Sequence, residues 1–247
     1  MKKLIFILLL FGSIKSYSQA NFSRIAIGVN GGLTKPYTGL SYGPSTTIPG
    51  YVAKDTYVIA DNKTFGGSLD YYFTPFINAG ISYDKISIRQ EADKYNRAYI
   101  SNFSAIEFKG KVSVGQFVDF SSTPFLYSFR NLNVGLGLGL INGSNNVSDF
   151  GSTAFPRREN SHDLGKSKFS GVISLPFSIG YFINIYNSYQ EPKVVLGIDY
   201  KLVYTLSDDL DGYNNDPSYF SNKLNDAYTS FSFSIKYLFG PKGLYYR

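Results

Sequence analysis

Leu132-Asn133-Val134-Gly135-Leu136-Gly137-Leu138-Gly139-Leu140-Ile141 is the stretch on which the fold turns. An apolar side chain stands at every second position, with asparagine or glycine between. A period of two places successive side chains on opposite faces of an extended strand, whereas an amphipathic helix repeats its apolar residues three and four apart. One face of this strand is built for an apolar surrounding. The other is small and polar.

The same dyad recurs in seven other segments. About Arg24–Leu33 sets Ile25, Ile27 and Val29 against Ala26, Gly28 and Asn30. About Lys63–Phe73 sets Phe65, Leu69, Tyr71 and Phe73 against Gly66, Ser68, Asp70 and Tyr72. Phe76–Asp84 sets Ile77, Ala79, Ile81 and Tyr83 against Asn78, Gly80, Ser82 and Asp84. Ser104–Val118 sets Ile106, Phe108, Val112 and Val114 against Glu107, Lys109, Lys111 and Ser113. Lys168–Ile183 carries Phe169, Ile173, Leu175, Phe177, Ile179, Tyr181 and Ile183 on one face. Lys193–Thr205 sets Leu196, Ile198, Tyr200, Leu202 and Tyr204 against Val195, Gly197, Asp199, Lys201 and Val203. Thr229–Phe239 sets Phe231, Phe233, Ile235, Tyr237 and Phe239 against serines and Lys236.

Segments of about ten residues with this alternation mark transmembrane barrel strands. The joins have the matching rhythm. Those after segments two, four and six are short or moderate (Thr74-Pro75, about Asp119–Asn131, about Asn184–Pro192). Those after one, three, five and seven are longer (about Thr34–Asn62, Lys85–Phe103, Asn142–Ser167, Leu206–Tyr228). The expected fold is all-β: a transmembrane antiparallel up-and-down β-barrel of eight strands, with short periplasmic turns and long extracellular loops. A ten-stranded alternative would recruit Tyr57-Val58-Ile59 or Ile86–Ile88. Two residues fit badly. Pro176 falls mid-strand, where it cannot donate to a ladder, and Gln116 falls on the lipid row. Bulges near Gly115 and Gly180 would reconcile both.

The first eighteen residues read as a signal peptide: Lys2 and Lys3, the apolar run Leu4–Phe11, then Ser16-Tyr17-Ser18 before Gln19. Cleavage after Ala20 is the rival, and residues 19–247 form a single barrel domain. Loss of Lys2, Lys3 and Lys15 lowers the formal charge from +6 to +3. With no Lys/Arg run, nucleic acid is not expected as a partner. The absence of cysteine excludes disulfides, thiolate metal sites and cysteine nucleophiles. Tyr and Phe are abundant, at 22 and 21, and no later stretch is apolar enough for a membrane-crossing helix. Of these aromatics, Tyr71, Phe73, Tyr181, Tyr237 and Phe239 are expected at periplasmic strand ends, and Tyr83 and Tyr204 at outer ends, as two interfacial girdles.

At this point the chain resembles the small OmpA-like outer-membrane β-barrel proteins, especially those of Bacteroidota. The carriers are the signal peptide, the strand and turn Asp70-Tyr71-Tyr72-Phe73-Thr74-Pro75, and the aromatic-ended strand Phe231 to Phe239. The last is similar to the terminal strand read by the barrel-assembly machinery. Unlike many such barrels, this chain continues to Arg247. The resemblance implies the bacterial outer membrane, reached by signal-peptide export, with outer-membrane lipid and lipopolysaccharide as surroundings.

Chemistry is sparse. Asp70, Asp84, Glu107 and Asp199 share the inward face with Lys109, Lys111, Lys201 and Lys236. An eight-stranded lumen is filled by its own side chains, and buried charges must pair, so these eight are expected to form an interior ion network. Gly135, Gly137 and Gly139 are expected to make room for the lysine stems, and serine at position 137 to be far better tolerated than arginine at position 136. The lone His162, beside Ser161 and Asp163, lies in a loop, and a catalytic triad needs spatial arrangement rather than adjacency. The acidic stretch Asp208, Asp209, Asp211, Asp216 hints at calcium, but Ser207 and Ser218 stand where an EF-hand loop needs carboxylates. Arg157, Arg158 and Lys166 are candidate contacts to lipopolysaccharide phosphates. No catalytic residue, metal or cofactor is therefore expected. The expected role is a non-enzymatic barrel with a plugged polar lumen, structural or interacting through its loops. The alternatives are an accessory component of a secretion or gliding machine with a protein partner at loops or periplasmic turns, an outer-membrane lipid hydrolase, and a narrow pore.

Overall fold

A strand that is apolar on one face must pair along both edges and hide its polar backbone, and in a membrane only a closed sheet does both. The computed structural model describes residues 20–38, 62–90, 97–117, 128–149, 165–212 and 225–245. They form β1 (Ala20–Tyr37), β2 (Lys63–Thr74), β3 (Ile77–Gln90), β4 (Arg97–Ser113), β5 (Leu132–Asp149), β6 (Gly165–Tyr186), β7 (Pro192–Thr205) and β8 (Ala227–Tyr245). Each strand pairs antiparallel with the next, and β8 closes on β1. The result is an eight-stranded up-and-down barrel. The signal peptide at residues 1–18 and the extra strand at 57–59 lie outside the described residues.

The alternation decides which face meets lipid. Leu136 and Leu138 are 65% and 60% exposed, and Phe65 is 66% exposed, while the residues between such positions turn inward. The outward apolar row of β5 continues on β4 as Ile106 and Phe108 and on β6 as Phe177 and Ile179.

Several strands run well past their expected ends. Ile86–Ile88 belongs to no extra strand; it carries β3 on to Gln90. With β4 beginning at Arg97, the third join shrinks to residues 91–96. In β3 beyond Asp84, Ile86 and Ile88 point inward, whereas Lys85 and Arg89 point out. In β5 beyond Leu140, Ile141 is fully buried and Asn142 is exposed. The period of two persists while its polarity inverts, as it must where the outer face leaves hydrocarbon for water.

The irregularities sit elsewhere than expected. Gly180 pairs regularly with Asn133 and Asp199, so no bulge lies there. The bulge in β6 lies at Gly171, whose left-handed φ of 72° suits glycine and whose N–H donates to Asn142 Oδ1 at 2.7 Å. Its extra residue turns Phe169 inward against Phe103, correcting its placement on the lipid row. Pro176 faces the interior. β4 ends at Ser113, and Val114–Gln116 forms a single tight helical turn, so Val114 and Gln116 never join the lipid row. Gln116 Oε1 instead accepts a hydrogen bond from Thr74 Oγ1 at 3.1 Å, fastening two short-turn regions together.

The residues after Phe239 continue as strand. Gly240, at φ 83°, absorbs a bulge, and Lys242–Tyr245 pairs with Ala20–Ser23. Neither β2 nor β7 pairs with this two-stranded extension at the short-turn end.

Candidate functional site

The lumen is where the chain concentrates its chemistry, and the strand register explains how it fits. Asp84 lies across from Gly66, Asp70 from Gly80, Glu107 from Gly139, Lys109 from Gly137 and Lys111 from Gly135. Asp199 lies across from Gly180, and Lys236 from Gly28. Only Lys201 among the eight lacks a glycine opposite, and two serines flank it. In so narrow a barrel a long charged side chain must lie over its cross-strand neighbour. A Cβ at Gly66 would stand 2.1 Å from Asp84 Oδ1, and one at Gly137 would stand 2.8 Å from Lys109 Cγ and 2.4 Å from the Phe108 carbonyl. Gly137 is therefore not the lenient position expected from the alternation alone.

All eight charges meet a partner. Lys201 Nζ bridges Glu107 at 2.9 Å and Asp84 at 3.1 Å, and Glu107 also takes Lys109 at 3.0 Å. Asn30 Nδ2 donates to the other Asp84 oxygen at 2.9 Å. Nearer the short turns, Lys236 meets Asp70 and Lys111 meets Asp199, both at 2.6 Å. The ammonium groups of Lys111 and Lys236 lie 5.0 and 5.6 Å from the centre of the Phe182 ring, a cation–π arrangement. A polar cavity of about 50 Å³ lies among these groups, enough for a few waters. Ser82, Ser230 and Ser234 on its wall have buried hydroxyls without a protein partner among the described residues.

What the alternation did not announce is that this ionic layer is sealed on both sides. Toward the long loops lies a buried apolar layer including Ile86, Ile88, Phe103, Val203 and Tyr228. Toward the short turns lies a second, of Phe22, Ala26, Tyr72, Phe182, Val195 and Leu238. The signal was present: inward parity runs from Asp84 to Ile86, Glu107 to Ala105, Lys201 to Val203 and Lys236 to Leu238.

A ledge formed by residues 206–211 completes the loop-side layer. Leu210 is buried within it, and its N–H donates to Asp226 Oδ2 at 2.9 Å. Thr205 donates its N–H and hydroxyl to the Asp226 carbonyl, and Asp226 N–H donates to Ser207. Asn145 Nδ2, itself fixed by Ser101, donates to the Asp209 carbonyl at 2.5 Å. Burial first, and then the neighbouring carboxylates Asp211 and Asp208, push Asp226 up to about 8. At the opposite end Glu191 accepts a hydrogen bond from Lys242, which holds its carboxyl below the usual range.

Of the aromatic positions, Tyr71, Phe73 and Tyr204 face outward near strand ends, with Tyr71–Phe73 edge-to-face; Tyr237 and Phe239 stack and face outward but lie within β8, which continues to Tyr245. Tyr181 is half-buried. Tyr83 faces outward but lies mid-strand, because β3 continues to Gln90. Among the described residues no group of three metal-ligating side chains is assembled, Asp208, Asp209 and Asp211 included. His162, Arg157, Arg158 and Asp216 lie outside the described residues, as does the side chain of Lys166.

Sealed ion pairs inside and an apolar belt outside define the class: an eight-stranded transmembrane β-barrel. No protein-family model matches the chain, and no curated protein matches it. Among solved structures it is similar to Neisserial surface protein A, at 13% identity over 87% of this chain and 97% of that one, with a TM-score of 0.47. It is also similar to Ail, the attachment invasion locus protein of Yersinia pestis, at 12% identity over 88% and 99%, TM-score 0.44. A third is CarO of Acinetobacter baumannii, at 9% identity over 85% and 97%, TM-score 0.43. These likenesses concern the fold alone.

Proposed function

We propose that the chain is a non-enzymatic barrel of the bacterial outer membrane, exported by the signal peptide at residues 1–18 and acting through its loops rather than through its lumen. The domain from residue 19 onward then works as a rigid, closed pedestal. The observation that carries this reading is the stacking, among the described residues, of a paired ionic layer between two buried apolar layers. Loops on a rigid scaffold are free to vary and to bind. The test is fractionation of cells producing the full chain, with gel migration before and after heating. Outer-membrane recovery with heat-modifiable migration is expected, and recovery as a soluble periplasmic protein contradicts the reading.

A second reading, an accessory part of an envelope machine of the Bacteroidota kind, is favoured by the extension formed by Ala20–Ser23 and Lys242–Tyr245. Its outer edges lack a ladder partner in β2 and β7, and an exposed strand edge is a template for an added strand. A pull-down from detergent-solubilised outer membrane, repeated after deletion of residues 242–247, tests it. Retention of every partner by the deleted form counts against this reading.

A further inference from the structure

The lumen charges fall into two groups. Lys201 gathers Asp84 and Glu107, and Glu107 also holds Lys109. Nearer the short turns stand the Asp70–Lys236 and Asp199–Lys111 pairs. Among the described residues, no hydrogen bond or ion pair runs directly from one group to the other. The polar cavity of about 50 Å³ is lined by both, with Asp84 and Lys201 on its wall from the first and Asp70 and Lys236 from the second.

Three serines on the same wall are deeply buried. Ser82, Ser230 and Ser234 are 2%, 3% and 9% exposed, and their hydroxyls have no protein partner among the described residues. The register sets them between the two groups. Ser82 lies across from Glu107 on one side and, on the other, from Ser68, whose hydroxyl donates to Asp70. Ser230 lies across from Lys201. Ser234 lies across from Asn30, the donor to Asp84, and two residues before Lys236. A buried hydroxyl without a partner is costly. The ammonium groups add to the demand, since each carries three donors, and Lys236 and Lys111 each give one to a carboxylate.

Charge decides what meets that demand. The layer already holds four carboxylates and four ammonium groups, all paired. An inorganic ion would add a charge that nothing there neutralises, in a space with a buried apolar layer on either side. Water adds no charge, and it both donates and accepts. A buried water typically makes about three hydrogen bonds, and it settles only where polar partners surround it.

We infer that the cavity is a binding site for a cluster of roughly three waters, which satisfies the hydroxyls of Ser82, Ser230 and Ser234 and joins the two ionic groups into one hydrogen-bonded layer. This rests on the closed lumen above and adds to it a built-in ligand. The pairs that do not touch then hold one another in place through water.

The test is a crystal structure of the full mature chain at a resolution that shows ordered water, with parallel crystals soaked in bromide and in rubidium salts. Waters should lie within hydrogen-bond distance of the three serine hydroxyls, at least one of them should bridge a residue of the first group to one of the second, and neither soak should give an anomalous peak in the cavity. A urea titration of the combined Ser82→Ala, Ser230→Ala and Ser234→Ala variant reads the same site in solution. If the hydroxyls anchor water, the unfolding midpoint falls. If the cavity is dry, alanine relieves three unpaired hydroxyls, and the midpoint holds or rises. The crystal arm needs no variant, so it decides the matter even if the alanine form does not fold. No water at the serines, an ion peak in the cavity, or a midpoint that holds or rises overturns the cluster and leaves the closed barrel standing. A file of waters continuing through either apolar layer overturns both.

Discussion

The middle of the lumen and its long-loop end are built from the same strands at the same parity, yet one is ionic and the other is oily. On β3 the inward residues pass from Ser82 and Asp84 to Ile86 and Ile88. On β4, read toward the loops, they pass from Glu107 through Ala105 to Phe103. Outward, the trend is the reverse: Ile81 and Tyr83 give way to Lys85 and Arg89, and Leu138 and Leu140 to Asn142. A strand in hydrocarbon must be apolar outside and can be polar inside. The same strand in water behaves as in any soluble barrel and takes the opposite arrangement. On β3 and β5 the transition from ionic to apolar lumen thus coincides with the end of the outward apolar row, and the apolar layer lies between the ion pairs and the loop side.

The comparison is broken most severely by leaving a charge stranded in the ionic layer. Glu107→Ala removes the carboxylate shared by Lys201 and Lys109, and should cost about 3–5 kcal/mol in a folding titration, as removal of one partner from buried pairs does. Reversing the outward face in the membrane is next. Leu136→Arg should cost about 2–4 kcal/mol, and a neutral result would mean the strand faces are misassigned. Gly137→Ser should cost about 1–3 kcal/mol by overpacking against Lys109 and the Phe108 carbonyl. A cost near zero would show that the lysine stem moves aside freely.

The smallest effect sharpens the loop end. Asp226 is raised to about 8 from an ordinary value of about 4, so the closed ledge binds its proton more tightly than the opened one. Docking of the ledge is then fullest below about pH 4, weakens as pH rises between about 4 and 8, and changes little above that. Hydrogen exchange at the Leu210 amide, measured against Leu138 to cancel intrinsic base catalysis, should accelerate over that window. Asp226→Asn should flatten the dependence.

Eight strands, their faces and the eight lumen charges were legible in the sequence because a period of two is a one-dimensional signal and lipid enforces it. The strand ends were not. Beyond Asp84 and Leu140 the alternation continues with reversed polarity, so a reading keyed to apolar-outward rows stops at the membrane edge and takes Ile86–Ile88 and Phe103 for loop. The inward turn of Phe169 was hidden for another reason: a one-residue bulge at Gly171 reverses parity, and Gly115 and Gly180 were equally plausible glycines until hydrogen bonding chose among them. The pairing of charges with cross-strand glycines needed register, which no single strand contains.

The central claim is that the lumen is closed, and single-channel recording tests it most directly. Purified full-length barrel, confirmed as folded by heat-modifiable migration and inserted into a planar bilayer, should show no steady conductance across neutral pH, at most brief flickers when the ledge and the ion pairs part together. A stable, long-lived, large conductance from the same preparation would contradict the sealed lumen and make the chain a pore.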